Sequence, residues 1–186
     1  MIKMEYTTQI PDGVQVSVSG TAVSVKGPRG GLERDFGDPR YDTELVMSVS
    51  GDKFSVKTES KKRNISAMAG TIAGHVKNMC IGVTKGYMYT MKIIYSHFPI
   101  TVSVKDGHVE VKNFLSEKGV RRGRIMGDCE VKFDKESVTI TGNDLENVSQ
   151  TTANIEQSCR LTRRDRRIFI DGIYVSGKML ATGEKI

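Results

Sequence analysis

Arginine presents a planar fork of donors that pairs two-pronged with phosphate, so clusters of arginine mark where a chain could hold a polyanion. From Arg160 to Val175 the sequence reads RLTRRDRRIFIDGIYV, with Arg160, Arg163, Arg164, Arg166 and Arg167 set around Asp165 and an apolar stretch following at once. Arg121, Arg122 and Arg124 make a second cluster, and Lys61, Lys62 and Arg63 a third. Lysine is a hydrated point charge, and the third cluster reads equally well as a solvated face. The two arginine clusters both fall in the second half of the chain and point to structured recognition of phosphate.

Other chemistry finds little support. His75 lies in a helical pattern, His97 just before Phe98-Pro99, and His108 in a hairpin turn, with no H-E-x-x-H, G-x-S-x-G or phosphate-loop motif around them. Cys80, Cys129 and Cys159 stand far apart without metal-ligand spacing, which predicts buried free thiols and neither a metal site nor a disulfide framework. No catalytic residue, metal or cofactor is expected. The stretch GPRGG, Gly27 to Gly31, contains the G-x-x-G that clamps a nucleic-acid backbone in KH domains, but there it joins two helices. Here it follows one strand-like segment and precedes another, LERDF, so it reads as a turn: glycines supply positive φ, Pro28 stiffens the chain, and Arg29 at the tip could still touch phosphate.

The chain has 186 residues, 38% hydrophobic and 27% charged, with a formal net charge of +6. That composition fits a packed core rather than disorder, and the charge favours an anionic partner. No apolar run approaches the ~18 residues of a membrane-spanning helix, and the opening MIKMEYTTQIPDG has no apolar core of a secretory signal, so an intracellular protein is expected. Aromatics are only 6% with no tryptophan, which argues against a platform that stacks successive bases. Recognition of folded RNA by shape and backbone fits better.

The elements that must carry these residues come in two copies. VQVSVSGTAVSVKG, from Val14 to Gly27, aligns with ITVSVKDGHVEVKN, from Ile100 to Asn113, so that Val16, Val18, Val23, Val25 and Lys26 fall at one constant offset on Val102, Val104, Val109, Val111 and Lys112. Each copy alternates apolar and polar residues, the pattern of half-buried strands joined by a tight turn, at Gly20 in the first and Asp106-Gly107 in the second. A second hairpin follows in each half: LVMSVSGDKFSVKT, and CEVKFDKESVTITG. Then the period changes. Ile65, Met68, Ile72, Val76 and Met79 predict an amphipathic helix ending near Gly82, and Leu145, Val148, Ile155 and Cys159 predict another, with Asn143 and Glu146 as a capping box. GYMYTMKIIY alternates as a further strand.

A sheet with one apolar face and a helix with one apolar stripe bury each other, which gives α+β, a tandem duplication of a two-layer domain with an antiparallel sheet and one helix on one face. The expected division is 1–82, 83–178 and a short tail 179–186. The arginine run would start where the second helix ends, anchored by Phe169, Ile170 and Ile173, with some of its charge facing the negative end of the helix dipole.

Gln157, Leu161, Arg164, Arg167, Phe169, DGIYV at 171–175 and Lys178, together with VKGPRG, HVKNMCIGVTKGY, HFPI, NFLSEKGVRR and GNDLENVSQ, resemble the universal ribosomal large-subunit protein six family in its eukaryotic and archaeal branch, called protein nine in eukaryotic naming. The resemblance is collinear over nearly the whole chain. It implies two tandem α+β domains and no enzyme activity. The implied function is that of a structural constituent binding large-subunit rRNA near the sarcin–ricin and stalk-base region, mainly through the second domain, beside neighbouring ribosomal proteins. By position it implies rRNA contact for Arg163, Arg164, Arg166, Arg167, Lys178 and Tyr174, with Arg160, Arg121, Arg122 and Arg124 as further candidates. Neither membrane nor small-molecule substrate is implied. The expected location is the cytoplasmic ribosome, with nucleolar assembly if the source is eukaryotic. The rival readings are a free RNA-binding module of KH-like type and a small enzyme using a histidine.

Overall fold

In a computed structural model, residues 4–41, 44–96, 98–162, 165 and 167–185 are described. The chain divides into two units, Met1–Lys85 and Gly86–Ile186.

In the first unit, β2 (Gln15–Ser19) and β3 (Ala22–Gly27) form the hairpin expected from the valine alternation, and β4 (Gly30–Asp35) adds to β3. Val16 pairs with Val25 and Val18 with Val23. The Ser19-to-Ala22 reversal turns on Gly20, whose φ of 63° suits a residue without Cβ. A second sheet orders β1 (Met4–Gln9), β6 (Lys53–Thr58) and β5 (Leu45–Ser50) as β1-β6-β5. Helix α1 (Arg63–Thr84) lays Ala69, Ile72, Val76 and Val83 into a core with Val23, Val25, Phe54 and Val56, and Ile65 near its start is buried as well. The helix runs past Gly82, which is buried within it; Lys85 caps it and Gly86, at φ 71°, turns the chain away.

The second unit repeats this plan. β8 (Thr101–Lys105) pairs with β9 (His108–Lys112), and β10 (Arg121–Arg124) joins β9. Val102 opposes Val111 and Val104 opposes Val109, the same register as the first hairpin. Asp106 and Gly107, at φ 50° and 70°, take the paired left-handed conformations that an Asp-Gly turn supplies. The other sheet runs β11 (Glu130–Phe133), β12 (Ser137–Gly142), β7 (Tyr87–Ile94), β13 (Gly172–Leu180), all antiparallel. β13 is an edge strand with no counterpart among the described strands of the first unit. It extends through Met179 and Leu180, the latter buried. Helix α2 (Leu145–Ser158) buries Val148, Thr151, Thr152 and Ile155.

The duplicated α+β architecture is as the repeat predicts, with one refinement: each unit holds two small sheets rather than one, and its helix packs on strands of both. The capping reading shifts by one residue, since Asp144, not Asn143, caps α2 by accepting from the Glu146 amide at 3.0 Å. The GPRGG turn also differs in its reason. Gly30 has positive φ, whereas Gly27 is needed because a Cβ there would lie 2.6 Å from a methyl of Val83 at the end of α1. Arg29, at the tip, donates its amide to the Val83 carbonyl at 3.0 Å.

Candidate nucleic-acid interface

Strand alternation sorts the Arg121 cluster into two kinds of residue. β10 pairs Arg121 with Val111 and Gly123 with Val109, so these two share the valines' helix-facing side, while Arg122 and Arg124 face outward. Gly123 allows the close approach: a Cβ there would stand 3.0 Å from the Ile155 Cα of α2.

Arg121 is spent within the protein. Its Nε and Nη2 both donate to the Glu117 carboxylate at 2.8 Å, and its Nη1 donates to the carbonyls of Ser158 at 3.0 Å and Arg160 at 3.1 Å. The guanidinium also sits 4.3 Å over the buried Phe114 ring. The Glu117 hydrogen bonds hold its pKa above the ordinary arginine value. Phe114 reaches its buried place through a tightly wound stretch in which Asn113, Leu115 and Ser116 have φ of 59°, 51° and 61°, with the Asn113 side-chain amide donating to the Pro99 carbonyl at 3.0 Å. Helix α2 has no basic residue in its last turn. Arg121, from across the fold, brings positive charge to its C-terminus through the Ser158 and Arg160 carbonyls.

Arg122 has a different setting. Its Nη2 lies 3.1 Å from Glu110 Oε1 and Lys112 Nζ 3.5 Å from Oε2, with the carboxylate side chain 8% exposed and the Arg122 side chain 65% exposed. Burial opposes ionisation of Glu110, but these two cations more than offset it and hold the carboxyl below its ordinary pKa. One edge of the Arg122 fork is thus fixed while the side chain stays open to solvent. Arg124 is exposed on the same face.

Arg160 is exposed just past α2. Arg163, Arg164 and Arg166 lie outside the described residues. Arg167 is 89% exposed and its Nη2 meets Asp165 Oδ2 at 2.8 Å, an ion pair that lowers the aspartate's pKa. Of the anchors expected for the run, Ile173 is fully buried and Phe169 half-buried, but Ile170 is 51% exposed. Asp171, also buried, takes over that part: its Oδ1 accepts from the Ser96 amide at 2.9 Å and ties the start of β13 to the end of β7.

Tyr174 is exposed on β13, with its ring folded back over Gly172, where a Cβ would meet it at 2.8 Å. Lys178 is exposed, its Nζ 5.5 Å from the centre of the Tyr89 ring. Its aliphatic stem thus follows the sheet while the ammonium stays in water. Lys105 and Lys112, absent from the candidate contact residues expected from the sequence, occupy the same outer side as Arg122 and Arg124. Their signal was present in the period-two pattern, which sets them opposite the valines.

Comparison with known proteins assigns the fold to a lineage. The profile of the family described as Ribosomal protein L6 matches twice, over residues 10–86 and 98–172, once on each unit. The chain is 45% identical to the large ribosomal subunit protein uL6 of Methanospirillum hungatei over 92% of this chain and 96% of that one. It is 48% identical to that of Methanothrix thermoacetophila, over 91% and 94%. For Staphylothermus marinus the identity is 44%, over 94% and 96%. With the duplicated fold matched in both halves and such identity along almost the full length of each relative, this chain belongs to the Ribosomal protein L6 family.

Proposed function

We propose that this protein is a structural constituent of the large ribosomal subunit. It binds folded large-subunit rRNA near the sarcin–ricin and stalk-base region, beside neighbouring ribosomal proteins, and thereby supports translation. The family is not an enzymatic one. The observation that carries the RNA reading is the exposure of guanidiniums at Arg122, Arg124, Arg160 and Arg167 on the second unit. Arg163, Arg164, Arg166, Lys178 and Tyr174 complete the proposed contact set. Arg121 keeps a supporting part in it, holding the point at which the run leaves α2. The relatives are archaeal, so assembly belongs in the compartment of translation, without a nucleolar stage.

Sedimentation tests the assignment: the tagged protein should travel with large subunits and stay there in moderate salt, because many phosphate contacts act together. Recovery only in the soluble pool would overturn it and favour a free RNA-binding module. Hydroxyl-radical cleavage from a probe tethered near Arg167 should cut rRNA in the sarcin–ricin and stalk-base region; cleavage confined elsewhere would overturn the location.

A further inference from the structure

The two units carry the same three-stranded sheet in the same register, yet the outward faces of those sheets differ in charge. In the first unit, Glu33 of β4 pairs with Ser24, and Asp35 with Ala22. In the second, Arg122 of β10 pairs with Glu110, and Arg124 with His108. Ser24 and Ala22 occupy the places of Glu110 and His108 in the aligned hairpins, so two carboxylates stand where the other copy has two guanidiniums. Lys112 has its counterpart in Lys26, whereas Lys105 stands where the first unit has Ser19. The hydrophobic face has been kept through duplication and the solvent face reversed.

We propose that the outer face of the β8-β9-β10 sheet is a docking surface for an RNA sugar–phosphate backbone, separate from the arginine run, and that the matching face of the first unit is not. The inference rests on the rRNA-binding reading above. Lys105, Lys112, Arg122 and Arg124 are all exposed, on adjacent strands, without a large apolar side chain among the outward positions of β8, β9 and β10. A protein partner needs an apolar or aromatic centre from which water is excluded, and this face has none. A polyanion backbone needs only recurring cations at fixed positions. Glu110 supplies the fixing: buried between Arg122 and Lys112, it holds both side chains in place. The reduction in positive charge is one unit, and the buried carboxylate leaves the outward edge of Arg122 available.

The test uses the full chain and deproteinised large-subunit rRNA. Combining Lys105→Gln, Lys112→Gln and Arg124→Gln should leave thermal unfolding cooperative, because all three side chains are exposed, and should make the plot of log affinity against log salt shallower by about 2 to 3. Glu33→Gln on the first unit should leave that slope unchanged. An unaltered slope and affinity in the triple variant, with the parent protein binding normally, would overturn this surface and leave RNA recognition to the arginine run alone. A triple variant that keeps full RNA affinity but is lost from large subunits would overturn it in favour of an acidic protein partner. Failure of the parent protein to bind the RNA at all would instead bring down the RNA reading on which the surface depends.

Discussion

Arg121 donates to a carboxylate and to two carbonyls at the end of α2, whereas Arg167 pairs with an exposed aspartate at the surface. The sequence groups both with RNA-contacting residues because composition cannot tell inward from outward on a strand as short as RRGR; the distinction needs the pairing of Arg121 with Val111. The two should separate on mutation. Arg121→Ala removes charge-assisted hydrogen bonds and leaves Glu117 without its fork, so urea unfolding should show a loss of roughly 2 to 3 kcal/mol. Arg167→Ala should change stability by less than ~0.5 kcal/mol and weaken rRNA binding by ~1 to 2 kcal/mol. Unchanged stability with lost affinity for Arg121→Ala would make it a contact after all. Of the three cysteines expected to be buried free thiols, Cys129 is only half-buried, whereas Cys80 and Cys159 are buried. Burial pushes both thiols above their ordinary pKa. A thiol whose folded pKa is raised adds stability that is fully present below the unfolded value of about 8.5 and is lost as pH rises toward the folded one. Both should therefore resist an aromatic disulfide reagent at neutral pH until the protein is unfolded; rapid labelling of the native state would contradict this.

At the scale of elements, hairpins and helices were legible wherever a single period ran for more than one turn or one strand. What escaped was set by distant neighbours. Thr151 and Thr152 look polar, yet both are buried in α2, where the Thr151 hydroxyl accepts from the Met126 amide at 2.9 Å and the Thr152 hydroxyl donates to the Val148 carbonyl at 2.7 Å. DGIYV was visible as a motif but not as the start of an edge strand, because β13 pairs with β7, about eighty residues earlier. Gly123 is another such case, a glycine in a strand whose purpose appears only when α2 is seen lying on it. Gly123→Ala should push the helix backbone away and cost ~1 to 3 kcal/mol by overpacking, read as a fall in the urea midpoint. Arg34 holds the matching place in the first unit, where α1 leaves β4 more room, so Arg34→Ala should not reproduce that loss. A midpoint for Gly123→Ala equal to that of the parent would show that the contact relaxes at no cost.

For the whole molecule, the duplication explains how one chain carries two faces of opposite charge. Once a valine register and a helix stripe suffice to bury a core, the outward positions of the sheet are free to diverge, since substitutions there scarcely affect stability. Each unit closes its own core: Val23, Val25, Phe54 and Val56 meet α1 in the first, while Val109, Val111, Ile140 and Ile155 are fully buried in the second. The backbone bonds that seal each unit also remain within it, from Arg29 to Val83 in one and from Ala181 to Gly86 in the other. Residues 1–85 and 86–186, produced separately, should therefore each unfold cooperatively, though with modest stability, because domains of this size bury a smaller share of their surface than larger ones. Only 86–186 should bind deproteinised large-subunit rRNA with a steep salt dependence, since it holds the arginine run and both exposed guanidiniums of β10. Equal affinity and slope for the 1–85 fragment would mean that the net charge of the molecule, and not the arrangement of its second unit, governs recognition.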